Sequence, residues 1–172
     1  EEWDIHKGFS TDVVTDLSID WLEKRDPKKP FMMMTHFKAT HEPFDFPERF
    51  NDLYTDIEFP EPASLFDFSP ATTGRTFDGL KLENMGKNWL RSTADPDSWW
   101  CKYPELPFSL EGLDSIAARK KIYQKLVRDF LRSGAAIDDN IGKLFKTIPW
   151  LNKCSSGCEV RSCLMSRGFP ID

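Results

Sequence analysis

Five bulky, nearly all apolar residues, Phe31-Met32-Met33-Met34-Thr35, run directly into His36, Lys38 and His41. His41 leads the candidates for chemistry among these three side chains. An imidazole has a reference pKa of about 6.5, so a histidine here can give or take a proton near neutral pH. Lys38 adds a positive charge that attracts anions. Each residue also has a plainer reading: His41 can bond a loop carbonyl, His36 can be packed with its nitrogens satisfied, and Lys38 can simply be solvated.

The apolar run suits a central β-strand covered on both faces better than a half-exposed one with alternating polarity. Short connections leaving such strands are where catalytic and binding groups are carried. Before the strand, Val13, Val14, Leu17, Trp21 and Leu22 recur at intervals of three and four, which predicts a helix capped by Ser10 or Thr11. It should stop at Asp26-Pro27, because the residue before proline avoids helical dihedrals. After the strand, residues 43–107 hold most of the prolines, irregularly spaced aromatic residues and Gly74, Gly79 and Gly86. With no dominant period, this stretch reads as a long surface excursion of the kind that shapes a substrate pocket.

A second helix is predicted from about Leu113-Asp114-Ser115 through Ile122, Leu126, Phe130, Ile137, Ile141, Leu144 and Ile148, an apolar stripe of roughly nine turns. Gly134 in its interior costs about 1 kcal/mol relative to alanine; with Ser133 it is expected to mark a bend or a close approach to a sheet. Asp138, Asp139 and Asn140 sit at adjacent helical positions that point in different directions. A solvated face and a structural hydrogen bond account for them better than a metal site.

The 172 residues lie within the normal size of one domain, and 14 phenylalanines with six tryptophans mark a chain built to pack. The net charge of −5, from 28 acidic and 23 basic residues mixed along the chain, offers no basic face for a phosphate backbone, so nucleic acid is not an expected partner. No apolar run approaches the roughly 18 to 20 residues that span a bilayer. Three of the four cysteines, Cys154, Cys158 and Cys163, cluster near the end of the chain. They could ligate zinc, but a closed site needs a fourth ligand and no histidine lies nearby. A disulfide in an oxidising compartment and a divergent tail without a chemical role are the other readings.

Three ordered segments carry a family resemblance. Lys7-Gly8-Phe9-Ser10-Thr11-Asp12-Val13-Val14-Thr15-Asp16 through Ile19-Asp20-Trp21-Leu22 resembles the helix that precedes this strand in sulfatases. His41-Glu42-Pro43-Phe44 through Pro47-Glu48-Arg49-Phe50 resembles the loop after it. Tyr123 through Phe130-Leu131, then Ala135-Ala136-Ile137-Asp138-Asp139-Asn140-Ile141-Gly142-Lys143-Leu144, resembles the sulfatase helix with its Asp-Asn-x-Gly-x-Leu pattern. The resemblance implies an α/β fold, part of an alkaline-phosphatase-like α/β/α sandwich with a long irregular insertion. It divides the chain into a partial sulfatase-like domain over residues 1–150, with 43–107 as the loop region, and a divergent cysteine-containing tail over 151–172.

The resemblance further implies sulfate-ester hydrolysis in the complete enzyme, with a sulfated small molecule or glycan as substrate and an extracytoplasmic setting. It places His41 at the histidine that contacts the sulfate ester, with Lys38 and His36 as further substrate contacts and Phe44 and Phe46 bordering the rest of the substrate. Sulfatases use a cysteine or serine followed by x-Pro-x-Arg, converted to formylglycine, together with calcium. This sequence contains neither that motif nor the aspartates that bind the metal, and Thr40 stands where many family members have proline. An internal fragment or truncated relative is therefore expected. A non-catalytic structural or binding module, or a related phosphodiesterase or phosphonate hydrolase, are the alternatives.

Overall fold

The computed structural model describes residues 5–42, 44–66, 82–94 and 108–148. It contains helices α1 (Ser10–Lys24), α2 (Leu82–Ala94) and α3 (Ser115–Thr147), with 3-10 turns at Glu48–Phe50 and Ala63–Phe66. Two compact units are formed, one from Glu1–Lys38 with Ala136–Asp172, the other from Ala39–Ala135, so α3 contributes to both.

In the first unit, α1 begins after Phe9, whose extended backbone serves as the N-cap without a side-chain hydrogen bond. Ser10 and Thr11 are thus already inside the helix, contrary to the expected cap. Asp12 in the first turn and Lys24 in the last complement the helix dipole. The helix ends at Arg25, two residues before Pro27, as the proline requires. The residues fully removed from water on α1 are Thr11 and Thr15 rather than the apolar stripe; Leu17 and Trp21 remain 44% exposed. Asn140 of α3, completely buried, donates to Asp12 Oδ1 at 2.7 Å and to the Ala136 carbonyl at 2.8 Å. Asp138 and Asp139 are solvent-exposed, and Asp139 pairs with Lys143. A hydrogen-bonded asparagine, not apolar packing, is what the α1 polar face meets.

The expected strand is not formed among the described residues, where no β-ladder occurs. Residues 31–38 instead run beside α1, with the Phe31 ring 5.5 Å from Trp21, the Arg25 guanidinium 4.3 Å over Phe31, and Ser18 Oγ 3.2 Å from Thr35 Oγ1. Met33, Thr35 and Phe37 are half-buried, while Met32, Met34, His36 and Lys38 between them are exposed. That alternation has the period of two expected of a strand. A strand exists only through the N–H and C=O groups of a neighbour, and no described segment supplies one. Cover on both faces is likewise not reached, since Met32 is 79% and Met34 69% exposed.

The second unit has a core of Met85, Trp89 and Ile122, flanked by Phe44, Leu82, Phe108, Leu110 and Leu126. Here α2 interrupts the stretch read as a structureless excursion. Its apolar positions Leu82, Met85 and Trp89 repeat at three and four, but Gly86 between them weakens the signal. Glycine lets the helices approach closely there: a Cβ at position 86 would lie 2.5 Å from Ile122 Cδ1, so a larger residue would require the Ile122 side chain to shift. The expected close approach at Gly134 is absent: no atom lies within 4 Å of a Cβ built there, and α3 continues through it. No helix among the described residues is long and apolar enough to cross a membrane.

Candidate functional site

His41 opens a short turn that begins the second unit, closed by the Phe44 N–H donating to the His41 carbonyl at 3.0 Å. Its Nδ1 lies 2.8 Å from the Glu42 carbonyl oxygen and 3.1 Å from Glu42 Oε2. Both neighbours are acceptors, so Nδ1 carries the hydrogen and Nε2 is the nitrogen left for chemistry. The side chain is 51% exposed, and no other partner is found for it among the described residues. The loop-carbonyl bond of the plainer reading is therefore present, and it orients the ring without engaging the opposite nitrogen.

Two aromatic residues fix the segment that carries His41 onto α3. Phe44, with φ of 65°, places its ring edge-on to Phe130 at 5.7 Å. Phe46 is 4% exposed and lies beneath the Arg132 guanidinium, 5.1 Å from ring centroid to Cζ. Phe46 belongs to the packed interior and Phe44 is half-buried against Phe130. Aromatic side chains on a short loop over a helix lose more area from water by packing down than by facing out. His36 and Lys38 lie in the first unit and are exposed.

Between the two rings, Asp45 is half-buried and its carboxyl is raised from 3.8 to about 6 by loss of hydration, opposed by a hydrogen bond from the Phe46 backbone. Sequence reading missed this residue, because desolvation depends on neighbours distant in sequence. The native state holds a proton between about pH 4 and 6 that the unfolded chain has released, so stability from this group is complete below that window and lost as pH rises through it. Asp45→Asn is expected to raise the thermal midpoint at about pH 8 and to leave it nearly unchanged at about pH 4. Equal shifts at both pH values would remove Asp45 as the source.

A charged recess of about 330 Å³ lies in the second unit between α3 and the segment from Asn51 to Ile57. Lys121, Lys125, Arg128 and Arg132 line it, opposed by Asp52 and Asp129. Arg132 is 2% exposed and donates to the carbonyls of Leu53 (2.9 Å) and Asn51 and to Asp129. Arg128 donates to the carbonyls of Tyr54 (2.8 Å) and Ile57 (3.0 Å), and Gln124 exchanges two bonds with the Phe59 backbone. Side chains of α3 thus satisfy backbone groups that a neighbouring strand would otherwise take. The basic spacing of three and four along residues 121–132 was visible in the sequence, but such runs ordinarily form a solvated helix face. His41 does not line this recess.

No group of three or more His, Cys, Asp or Glu side chains able to hold a metal ion occurs among the described residues, so they do not fit a calcium site. The cysteines at 101, 154, 158 and 163, and the whole tail 151–172, lie outside the described residues.

The chain is 28% identical over 169 residues to an N-acetylglucosamine-6-O-sulfatase of Bacteroides thetaiotaomicron, a match covering 81% of this chain and 30% of that protein. It is 44% identical over 52 residues to an arylsulfatase of Clostridium perfringens, covering 30% of this chain and 11% of that protein. The chain therefore spans less than a third of the length of these curated relatives. The family model described as Sulfatase matches residues 2–152, a span that takes in α1, the His41 turn and all of α3. With its helices and its candidate histidine all inside that match, the chain belongs to the sulfatase family.

Proposed function

We propose that the complete protein hydrolyses sulfate esters and that this chain contributes His41 to the reaction. The observation that carries the reading is the anchored ring: Nδ1 is committed to Glu42, and the half-exposed side chain has no described partner at Nε2, within a sequence that matches the sulfatase family. A protonated Nε2 donates a hydrogen bond to a sulfate oxygen or a proton to the departing alcohol oxygen; the neutral ring takes a proton there. His36 and Lys38, both exposed in the first unit, are proposed as further anion contacts of the complete enzyme on the sequence resemblance alone. The nucleophile, formylglycine in this family, arises from a motif that these 172 residues do not contain. Calcium is expected in the complete enzyme, where it would neutralise charge on the sulfate, held by ligands that the described residues do not supply.

A sulfated sugar is the substrate class we favour, because the relative matched over most of this chain is named for sulfated N-acetylglucosamine. The α/β/α sandwich is proposed for the complete protein on the same footing, with the segment 31–38 becoming a strand once neighbours from the rest of the protein pair with it. The test is release of sulfate by the full-length protein from 4-nitrophenyl sulfate and N-acetylglucosamine 6-sulfate, before and after removal of calcium by a chelator. Turnover of at least one ester that disappears on chelation and returns with calcium is expected. Sulfate release from neither ester, or turnover of 4-nitrophenyl phosphate in its place, overturns the proposal.

A further inference from the structure

The recess on α3 has cations beyond those its own structure uses. Asp129 is 3% exposed and is held between Lys125 and Arg132, so these three charges largely settle one another inside the protein. Arg132 spends its remaining donors on the Asn51 and Leu53 carbonyls, and Lys125 also rests over the rings of Trp89 and Phe108 at 5.1 and 5.8 Å. Two cations remain facing the space. Arg128 uses Nε and one terminal nitrogen on backbone carbonyls, while Lys121 is exposed and has no partner among the described residues. They are seven residues apart, two helical turns on one face, about 10 Å along the axis.

We infer that this recess is a second binding site, separate from the residues that line up with the sulfatase reaction, and that it takes one sugar unit carrying a sulfate or carboxylate group. Its volume of about 330 Å³ suits a single ring rather than a bare ion. Lys121 and Arg128 meet the anionic group, and the Phe108 side chain provides an apolar wall on which a sugar ring can lie. Asp52 on the opposite wall accepts hydrogen bonds from ring hydroxyls. Such a site would hold a neighbouring unit of a sulfated chain, so the inference rests on the sulfate-ester reading for its substrate class.

The test is direct binding to the full-length protein, by titration calorimetry, of a chondroitin 6-sulfate disaccharide and its desulfated counterpart, at low and high salt. The uronic acid is common to both probes, so their difference reports the sulfate and the affinity left in the desulfated probe reports the carboxylate. Lys121→Glu is expected to weaken binding of the sulfated probe by about tenfold, with Lys121→Arg restoring it and the wild-type affinity falling as salt rises. Lys121 bonds to nothing else described, so its replacement does not disturb the fold; circular dichroism of each variant checks this. Unchanged affinity in Lys121→Glu overturns the site, as does an affinity independent of both anionic groups and of salt. His41→Ala separates the two proposals. Loss of turnover there with full binding in Lys121→Glu removes the recess and leaves the reaction, whereas weakened binding in Lys121→Glu with full turnover in His41→Ala removes the histidine and leaves the recess.

Discussion

His41→Ala in the full-length protein is expected to lower kcat on 4-nitrophenyl sulfate by roughly 10²- to 10³-fold, within the range that positioned proton donors contribute. Stability should hardly change. The side chain is half exposed, and its only described bonds are to its own neighbour Glu42, so deleting it opens no cavity and strands no buried group. A loss confined to KM would place His41 in binding without a part in the transition state. If kcat is unchanged while the variant melts at the wild-type temperature, the imidazole has no part in turnover. A variant that melts early would instead show that the Glu42 contact holds the turn, which the geometry argues against.

The second large effect concerns stability. Arg132→Met is expected to destabilise the protein by about 3–5 kcal/mol, the usual cost of removing one partner from a buried charge pair. Burial pulls the Arg132 guanidinium below its ordinary range, and Asp129 beside it pulls back, so the charge is retained where its surroundings were built for it. Methionine preserves much of the volume over Phe46. It leaves Asp129 with Lys125 alone and the Asn51 and Leu53 carbonyls without their donor. Arg132→Lys should recover only part of the loss, because an ammonium lacks the planar fork that reaches both carbonyls and the carboxylate. Since domains are stable by only about 5–15 kcal/mol, the shift would show plainly in urea unfolding. A loss below about 1 kcal/mol for the methionine variant would show that water replaces the arginine at no great cost.

Both predictions converge on the same stretch of α3. Phe130 and Arg132 hold Phe44 and Phe46, and those rings hold the turn on which His41 stands. A loss of Arg132 is thus expected to reach turnover as well as stability.

The two long helices were legible because each repeats apolar residues at helical spacing and is bounded by clear signals: Pro27 after α1 and Asp114 before α3, whose Oδ1 accepts the Ala117 N–H at 2.8 Å. The family was legible because its ordered segments include a polar signature around Asp139-Asn140 that packing alone would not demand. By contrast, α2 escaped notice since Gly86, which sits close against Ile122, interrupts its pattern. The helix cap at Phe9 and the buried threonines of α1 were also hidden, because which face of an amphipathic helix is covered depends on what arrives against it.

The sequence by itself determined where the two long helices form, which family the chain enters and which histidine deserves testing, since these follow from local spacing and short-range chemistry. Only the tertiary structure decided that Phe46 is buried and Phe44 packs on Phe130, that Asp45 is desolvated, and that four basic residues of one helix share a recess. Those outcomes depend on groups far apart in sequence coming within hydrogen-bond reach, as Gln124 does with Phe59, 65 residues away, and Arg132 with Asn51, 81 residues away. The segment 31–38 marks the boundary between the two: its composition prescribes a strand, but a strand's hydrogen bonds belong to its neighbours as much as to itself.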